Sequence, residues 1–578
     1  MTQEDLKELS KDNLQNIILK LQEFLSEDQK QKLQEIINFY TTQGMNKQVT
    51  STEIGMSEKF VKEKMLQIQN WKNQIDEGDL YLEIEEYEEY GGYWDSDWIT
   101  EYYDTQEIGD KIIDMIAFAQ DCVNDKRYLE ARNIYEWLWQ MCVTTVNEYE
   151  EFGDPVDLEV LRENNLIDVD MKHLALLTLY TDYQALLPEE RANDMYLYFS
   201  FSAFSKLHIE DIFHVGRENL KDTDQFWIDW INLLKGKNGD VEARLLKEAI
   251  LYTRGVNGLY EIAKENASIH PSLYLSVMDE YEKKHAYEKV EEIGENALND
   301  IDVNLKIRST IALKAAFASS CLNHYDKMIY FCWEGYCSDS TIRNYLRLFG
   351  TKEMAERYGL RGKEVLNIRE KSNFQNSYRN LELSRNVMSD YEYYSLIFYA
   401  GNFKKIKNMS RNPKGSLGWS GSFIHIGIRL ILLYLYDGDY PSKAAAKIAE
   451  YVGFSDTKNL EDQMNFEMEI QKECREHKIS EFWNYFQRWK KYFKIKEIEK
   501  KDYLSWAEQI VHKRAEAIVS GQHRNQYEEV AYLLAIVCEI KENMGYQNVK
   551  ETVYGQYRKK FPRHSAFQRE MKYYFNIK

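Results

Sequence analysis

The sequence predicts an all-α fold, a solenoid of helical hairpins, and three observations carry that expectation. Helix breakers are scarce, with 6 Pro and 27 Gly in 578 residues. Pro removes a backbone donor, and Gly costs roughly 1 kcal/mol in a helix interior. Apolar residues recur with a period of about 3.6 over most of the chain. One motif also returns: an aromatic residue opens a helix after a short polar break, and an apolar residue follows three positions later. It is clearest in residues 128–141, YLEARNIYEWLWQM, and comes again at Tyr287/Val290, Tyr325/Met328, Phe403/Ile406 and Tyr527/Val530. We read it as the second helix of a two-helix repeat.

Taken in order, residues 2–40 carry Leu6, Leu9, Leu14, Ile17, Ile18, Leu21 and Leu25 at helical spacing, and Ser26 with Gln29 restarts the pattern as a capping box. Residues 41–57 are polar and glycine-containing, the composition of a linker. A helix over 58–75 presents Phe60, Met65, Ile68, Trp71 and Ile75. Residues 73–110 hold 14 acidic side chains and no Lys or Arg, with tyrosines and tryptophans between the carboxylates. That segment reads as a loop whose rings pack inward while its charges face water. Its alternative reading is a surface for a cationic partner, through Tyr87, Tyr90, Tyr93, Trp94, Asp95, Asp97 and Trp98.

Helix pairs follow at 108–123 with 128–146, 171–187 with 189–204, 271–282 with 287–299, and 305–322 with 325–336. Small residues Ala312, Ala315, Ala316 and Ala318 mark a first helix that must be approached closely. Residues 360–374 link two sub-arrays, and 391–400 with 403–409 form a short pair. The only Gly-rich loop, 412–421, feeds an apolar helix at 423–436. It lacks the Lys-Ser/Thr ending of a phosphate loop, so a tight turn is expected there. The tail is helical and basic, ending with Arg558, Lys559, Lys560 and Arg563. The resulting division is an N-terminal helical segment with linker (1–75), the acidic aromatic segment (76–107), two helical arrays (108–360 and 361–480) and a basic C-terminal cap (481–578).

The pairing resembles tetratricopeptide-like repeats, without meeting the full 34-residue consensus. GDKIIDMIAFAQDCVNDKRYLEARNIYEWLW, KKHAYEKVEEIGENAL and QYEEVAYLLAIVCEIKENMG also resemble the helical portion of bacterial SWIM zinc-finger proteins. The Cys-x-Cys and Cys-x-His of those proteins are missing here, so the resemblance implies a helical scaffold and carries over no zinc ligand or nucleic-acid function.

The formal net charge is −21, and such a chain repels phosphates as a whole. Residues 481–578 run the other way, with 19 Lys/Arg against 12 Asp/Glu. Seven scattered cysteines argue against a disulfide framework and for a reducing cytoplasm. The polar, acidic N-terminus is no secretory signal, and 423–436 is too short and too charged to span a bilayer.

Catalytic patterns are missing: no His-Glu-x-x-His, no Gly-x-Ser-x-Gly, no phosphate loop, and no Arg five residues before any of the 11 histidines. Asp95, Asp97 and Asp104 do not fit a calcium loop. Cys474 and His477 stand three apart without a second ligand pair, and His208 and His214 read as packing residues beside Phe204, Phe213 and Trp227. The expectation is a non-enzymatic scaffold with no cofactor and no metal, binding a protein partner. Nucleic acid is the alternative partner, through Arg558, Lys559, Lys560 and Arg563.

Overall fold

A computed structural model describes residues 56–92, 95–149, 151–370, 382–410, 415–419, 422–456 and 463–577, with the side chains of 89–97 and 367–370 left out. The helices expected over 2–40, nearly all of the 41–57 linker, part of 360–374 and part of the Gly-rich loop lie outside the described residues. So do Tyr93, Trp94 and the side chains of Tyr90, Asp95 and Asp97. Helices make up most of what is described; the departure from the all-α expectation is one small sheet. The chain divides into two compact units, at residues 171 and 172.

The first unit contains helix α1 (Glu58–Asp76), strands β1 (Tyr81–Gly92) and β2 (Asp95–Tyr103), helices α2 (Ile108–Asn124) and α3 (Tyr128–Gln140), strand β3 (Thr144–Asn147) and helix α4 (Leu158–Glu163). The segment read as a loop is therefore a β-hairpin. β1 pairs antiparallel with β2 from Glu83↔Tyr103 to Gly92↔Asp95, with a register slip between Tyr90 and Gly92. On its other side β1 pairs parallel with β3, from Tyr81↔Thr144 to Ile84↔Asn147. A parallel pair needs a crossover, and α2 and α3 supply it.

Helix α1 meets α3 through Lys72, which is only 4% exposed. Its ammonium donates to the Asn133 carbonyl at 2.8 Å and to Asn133 Oδ1 at 2.9 Å, and it sits over the Trp137 ring. Burial pushes its pKa down to about 8. An unfolded chain keeps that proton to about 10.4, so between those values the unfolded state binds more protons and stability rises with pH. The stability difference between the native chain and Lys72→Met should therefore grow in the native chain's favour from pH 8 to 10.5. Urea unfolding at several pH values checks it; a constant difference contradicts it.

The second unit is helical. After α5 (Met171–Ala185), α6 (Pro188–Leu197) and short 3-10 turns come α7 (Thr223–Lys235), α8 (Asp240–Glu265), α9 (Ser272–Glu282), α10 (Tyr287–Asp300), α11 (Lys306–Cys321) and α12 (Tyr325–Ser338). Then follow α13 (Ile342–Arg347), α14 (Lys352–Arg357), α15 (Gly362–Glu370), α16 (Asp390–Tyr399), α17 (Phe403–Met409), α18 (Ile424–Leu435) and α19 (Lys443–Val452). The C-terminal part is α20 (Asn465–His477), α21 (Glu481–Lys490), α22 (Glu497–Ser520), α23 (Tyr527–Asn543), α24 (Val549–Lys560) and α25 (Ser565–Phe575). From α7 to α12 each helix packs on the next in sequence.

The recurring motif now has a geometric cause. Four hairpins, α2–α3, α9–α10, α11–α12 and α16–α17, close with one turn. A left-handed residue comes first: Lys126, His285, Asn323 or Gly401. A second residue follows near φ −85 to −90 and ψ 60 to 67: Arg127, Ala286, His324 or Asn402. The aromatic residue then opens the helix. The second residue's amide reaches the carbonyl five back (Cys122, Tyr281, Ser319, Ile397) at 2.8–3.1 Å, which closes the end of the preceding helix in a Schellman motif. At Tyr527 the same closure, with Gln522 left-handed, is followed by an extra 3-10 turn. The apolar partners Ala131, Val290, Met328, Ile406 and Val530 are all buried. Close approach also appears where expected: a Cβ on Gly294 of α10 would lie 2.5 Å from that of Ala315 on α11.

A strap, 382–387, which begins in a turn and bridges Leu305 through Arg385, crosses the ends of these helices. Glu382 accepts from the Ser272 amide at 2.9 Å, the Ser384 carbonyl from the Lys306 amide at 2.8 Å, and Asn386 Oδ1 from the Ser340 amide at 3.2 Å. Two strap residues thus serve each 34-residue step of the array. Each acceptor satisfies an amide at a helix N-terminal end that has no partner within its own helix. The C-terminal helices fold back on this array: Arg347 Nε meets Glu467 Oε1 at 2.6 Å, and Arg488 Nη1 donates to the Gly350 carbonyl at 2.9 Å.

Candidate functional site

The hairpin β1–β2 forms because its base alternates. Leu82 and Ile84 point inward and are buried, while Glu83 and Glu85 point out. Gly91 and Gly92 lie at its tip, and Asp104 ends it by accepting from the amides of Ile108 and Gly109 at 2.8 and 2.7 Å, which caps α2. Asp104 is thereby committed to a cap rather than to a calcium loop.

The pairing places Glu83, Glu85 and Tyr87 of β1 on one face with Tyr103, Glu101 and Ile99 of β2. Tyr87 donates to Glu101 at 2.9 Å, Tyr103 to Glu101 at 2.8 Å and to Glu85 at 3.3 Å, and Thr105 to Glu83 at 2.9 Å. The hydrogen bonds from Tyr103 and Tyr87 hold the Glu101 carboxyl below its usual range, and the same bond pushes the Tyr103 phenol up to about 12. Glu101 is thus a carboxylate and Tyr103 a neutral donor at any physiological pH.

A second acidic segment joins this one. No Lys or Arg occurs between Lys72 and Lys111, nor between Arg132 and Arg162, and all three strands fall in these two intervals. The folded sheet therefore carries no cationic side chain. Exposed rings accompany the carboxylates: Trp98 is 71% exposed, and Tyr149 and Phe152, beside β3, are 74% and 80% exposed. Of the residues named from sequence, Tyr87 lies on the face with Glu85 and Glu101, and Trp98, paired with Glu88, is exposed on the opposite face. Glu83, Glu85, Glu101 and Tyr103 lie in the same segment without having been singled out as contacts, and Tyr149 and Phe152 lie outside it; the inward pair Leu82 and Ile84 was the signal that could have found the outward face.

Arg558, Lys559 and Lys560 occupy the last turn of α24 and Arg563 follows it, all exposed. Lys560 pairs with Glu516 at 2.6 Å. Cations there favour the helix dipole, which gives them a structural role. The sheet lies in the first unit and these residues in the second.

Other chemical candidates are committed elsewhere. In the described part of the Gly-rich loop, 415–419, the carbonyls of Ser416 and Leu417 accept from Arg514, each at 3.0 Å. Cys474 is buried, its thiol pushed up to about 11 by desolvation, and His477 binds Tyr440. His208 pairs with Glu248 at 3.0 Å. A shallow cleft of about 430 Å³ is lined by residues 323–327 and Glu353. There His324 and Lys327 bind Glu291 at 3.0 and 2.6 Å, and Asp326 pairs with Arg357 at 2.6 Å. Burial raises the Glu291 pKa, but bonds from Lys327, Ser319 and His324 outweigh it and leave the carboxyl low. Among the described residues no group of three His, Cys, Asp or Glu side chains is placed to hold a metal. None of the described helices is long and apolar enough to cross a membrane.

No protein-family model, curated protein or solved structure matches the chain.

Proposed function

We propose that this chain is a cytoplasmic, non-enzymatic scaffold or adaptor, a tetratricopeptide-like solenoid that binds a protein partner through the anionic, aromatic face of the β1–β2 hairpin. The single observation behind it is the convergence of two sequence-distant segments, neither with a cation, on one exposed sheet. Glu85 stands directly across from Glu101, and like charges so placed cost stability, on the order of 0.2–1 kcal/mol. A face that keeps such a rung gains where a cationic partner neutralises it. The shared hairpin turn and the 34-residue step of the strap support the repeat reading.

The test is affinity capture from native cell lysate with the full chain and with Glu83→Gln/Glu85→Gln/Glu101→Gln. The variant should have a melting temperature no lower than the native chain's and bind the captured partner about tenfold more weakly, from three exposed pairs at roughly 0.2–1 kcal/mol each. Undiminished capture removes the reading. The alternative, a nucleic-acid-associated factor using Arg558, Lys559, Lys560 and Arg563, draws on their common exposure. It requires salt-sensitive nucleic-acid binding that is lost on changing all four to Glu.

A further inference from the structure

In the strand order β2-β1-β3, β2 is terminal, and among the described residues no strand pairs with its outer edge. Every second residue of such a strand points an N–H and a C=O outward. Trp98, Glu101 and Tyr103 along it are exposed. We infer that residues 98–103 of β2 capture an extended, Lys/Arg-rich segment of a protein partner by strand addition. This rests on the reading of the sheet as a partner surface and names how the partner is held.

Charge selects the occupant. A strand laid beside β2 would place alternate side chains next to Ile99, Glu101 and Tyr103, with Glu85 and Glu83 behind them on β1. The other set would lie against Trp98, Thr100 and Tyr102. Lysine or arginine in the first set meets carboxylates, and a cation or apolar group in the second meets the Trp98 ring. A second copy of this chain is disfavoured, because its own β2 would bring another Glu101 and no cation to the same charges. Protecting the edge from aggregation does not account for the layout. Glu85 sits on the inner strand opposite Glu101 rather than on the edge itself, and the Tyr103 hydroxyl at 3.3 Å supplies it no positive charge.

Titration calorimetry on the full chain tests this with a nine-residue peptide that alternates Lys with Thr or Val. A second peptide of the same sequence is N-methylated at alternate backbone positions along each edge, which removes pairing amides and keeps the charge. The plain peptide should bind, should weaken about tenfold or more on N-methylation, and should slow amide hydrogen exchange in 98–103. Equal affinity for the N-methylated peptide, or no binding of the plain one, overturns strand addition. Loss of partner capture in the Gln variant alongside such a result leaves the sheet as the partner surface, held by its face. Undiminished capture overturns that reading itself.

Discussion

Glu467→Ala is expected to lower the stability of the chain by about 3–5 kcal/mol, the usual result of stripping one partner from a buried ion pair. The side chains of Arg347 and Glu467 are each 8% exposed. Glu467 also accepts from the Tyr485 hydroxyl at 3.0 Å, while Arg347 donates to Asn344 Oδ1 at 2.6 Å. Truncation leaves a buried guanidinium with Asn344 but no counter-ion and takes the acceptor from the Tyr485 hydroxyl, and the uncompensated charge accounts for most of the loss. Arg347→Met combined with Glu467→Met should recover most of it, because no such charge remains. Urea unfolding followed by tryptophan fluorescence reads both. A small effect of Glu467→Ala, below about 1 kcal/mol, would mean that water reaches the pair.

Trp489→Ala should cost a similar amount, about 3–5 kcal/mol. The indole is fully buried and lies within 5.1–5.3 Å, centroid to centroid, of Phe398, Tyr399, Phe486 and Phe493. Its Nε1 donates to the Tyr399 carbonyl at 2.8 Å. These rings come from α16, from α21 and from the turn after it, so the cavity would open between segments 90 residues apart. Trp489→Phe keeps most of the ring contact and loses the hydrogen bond, so its cost should be less than half as large. Equal costs for the two variants would show that the hydrogen bond, rather than ring packing, carries the effect.

The hairpins were legible because their signals are local. Tyr287 with Val290 and Tyr325 with Met328 mark a helix start that follows a fixed turn, and periodicity identifies the buried side. The sheet was not legible, since only Leu82 and Ile84 show inward alternation before both faces of β1 become polar. Glutamate is a poor strand former, and the run of carboxylates matched a solvated loop. The parallel pairing of β1 with β3 joins residues 63 apart, and Arg347 meets Glu467 across 120 residues. No window along one sequence contains both partners of such pairs. The acidic-aromatic surface was half visible: Tyr87 and Trp98 stood out by composition, while Glu85 and Glu101 gain meaning only from register.

The segment 382–387 also limits how this array can evolve. On the repeat reading proposed above, an array lengthens when a unit is copied in tandem, because each unit meets only its neighbours. Here one short clasp is keyed to the ends at residues 272, 306 and 340, two clasp residues to a unit. An extra hairpin inserted among them would leave the clasp short by one key. On that reading, the number of units between the first key and the last is held by six residues that belong to none of them.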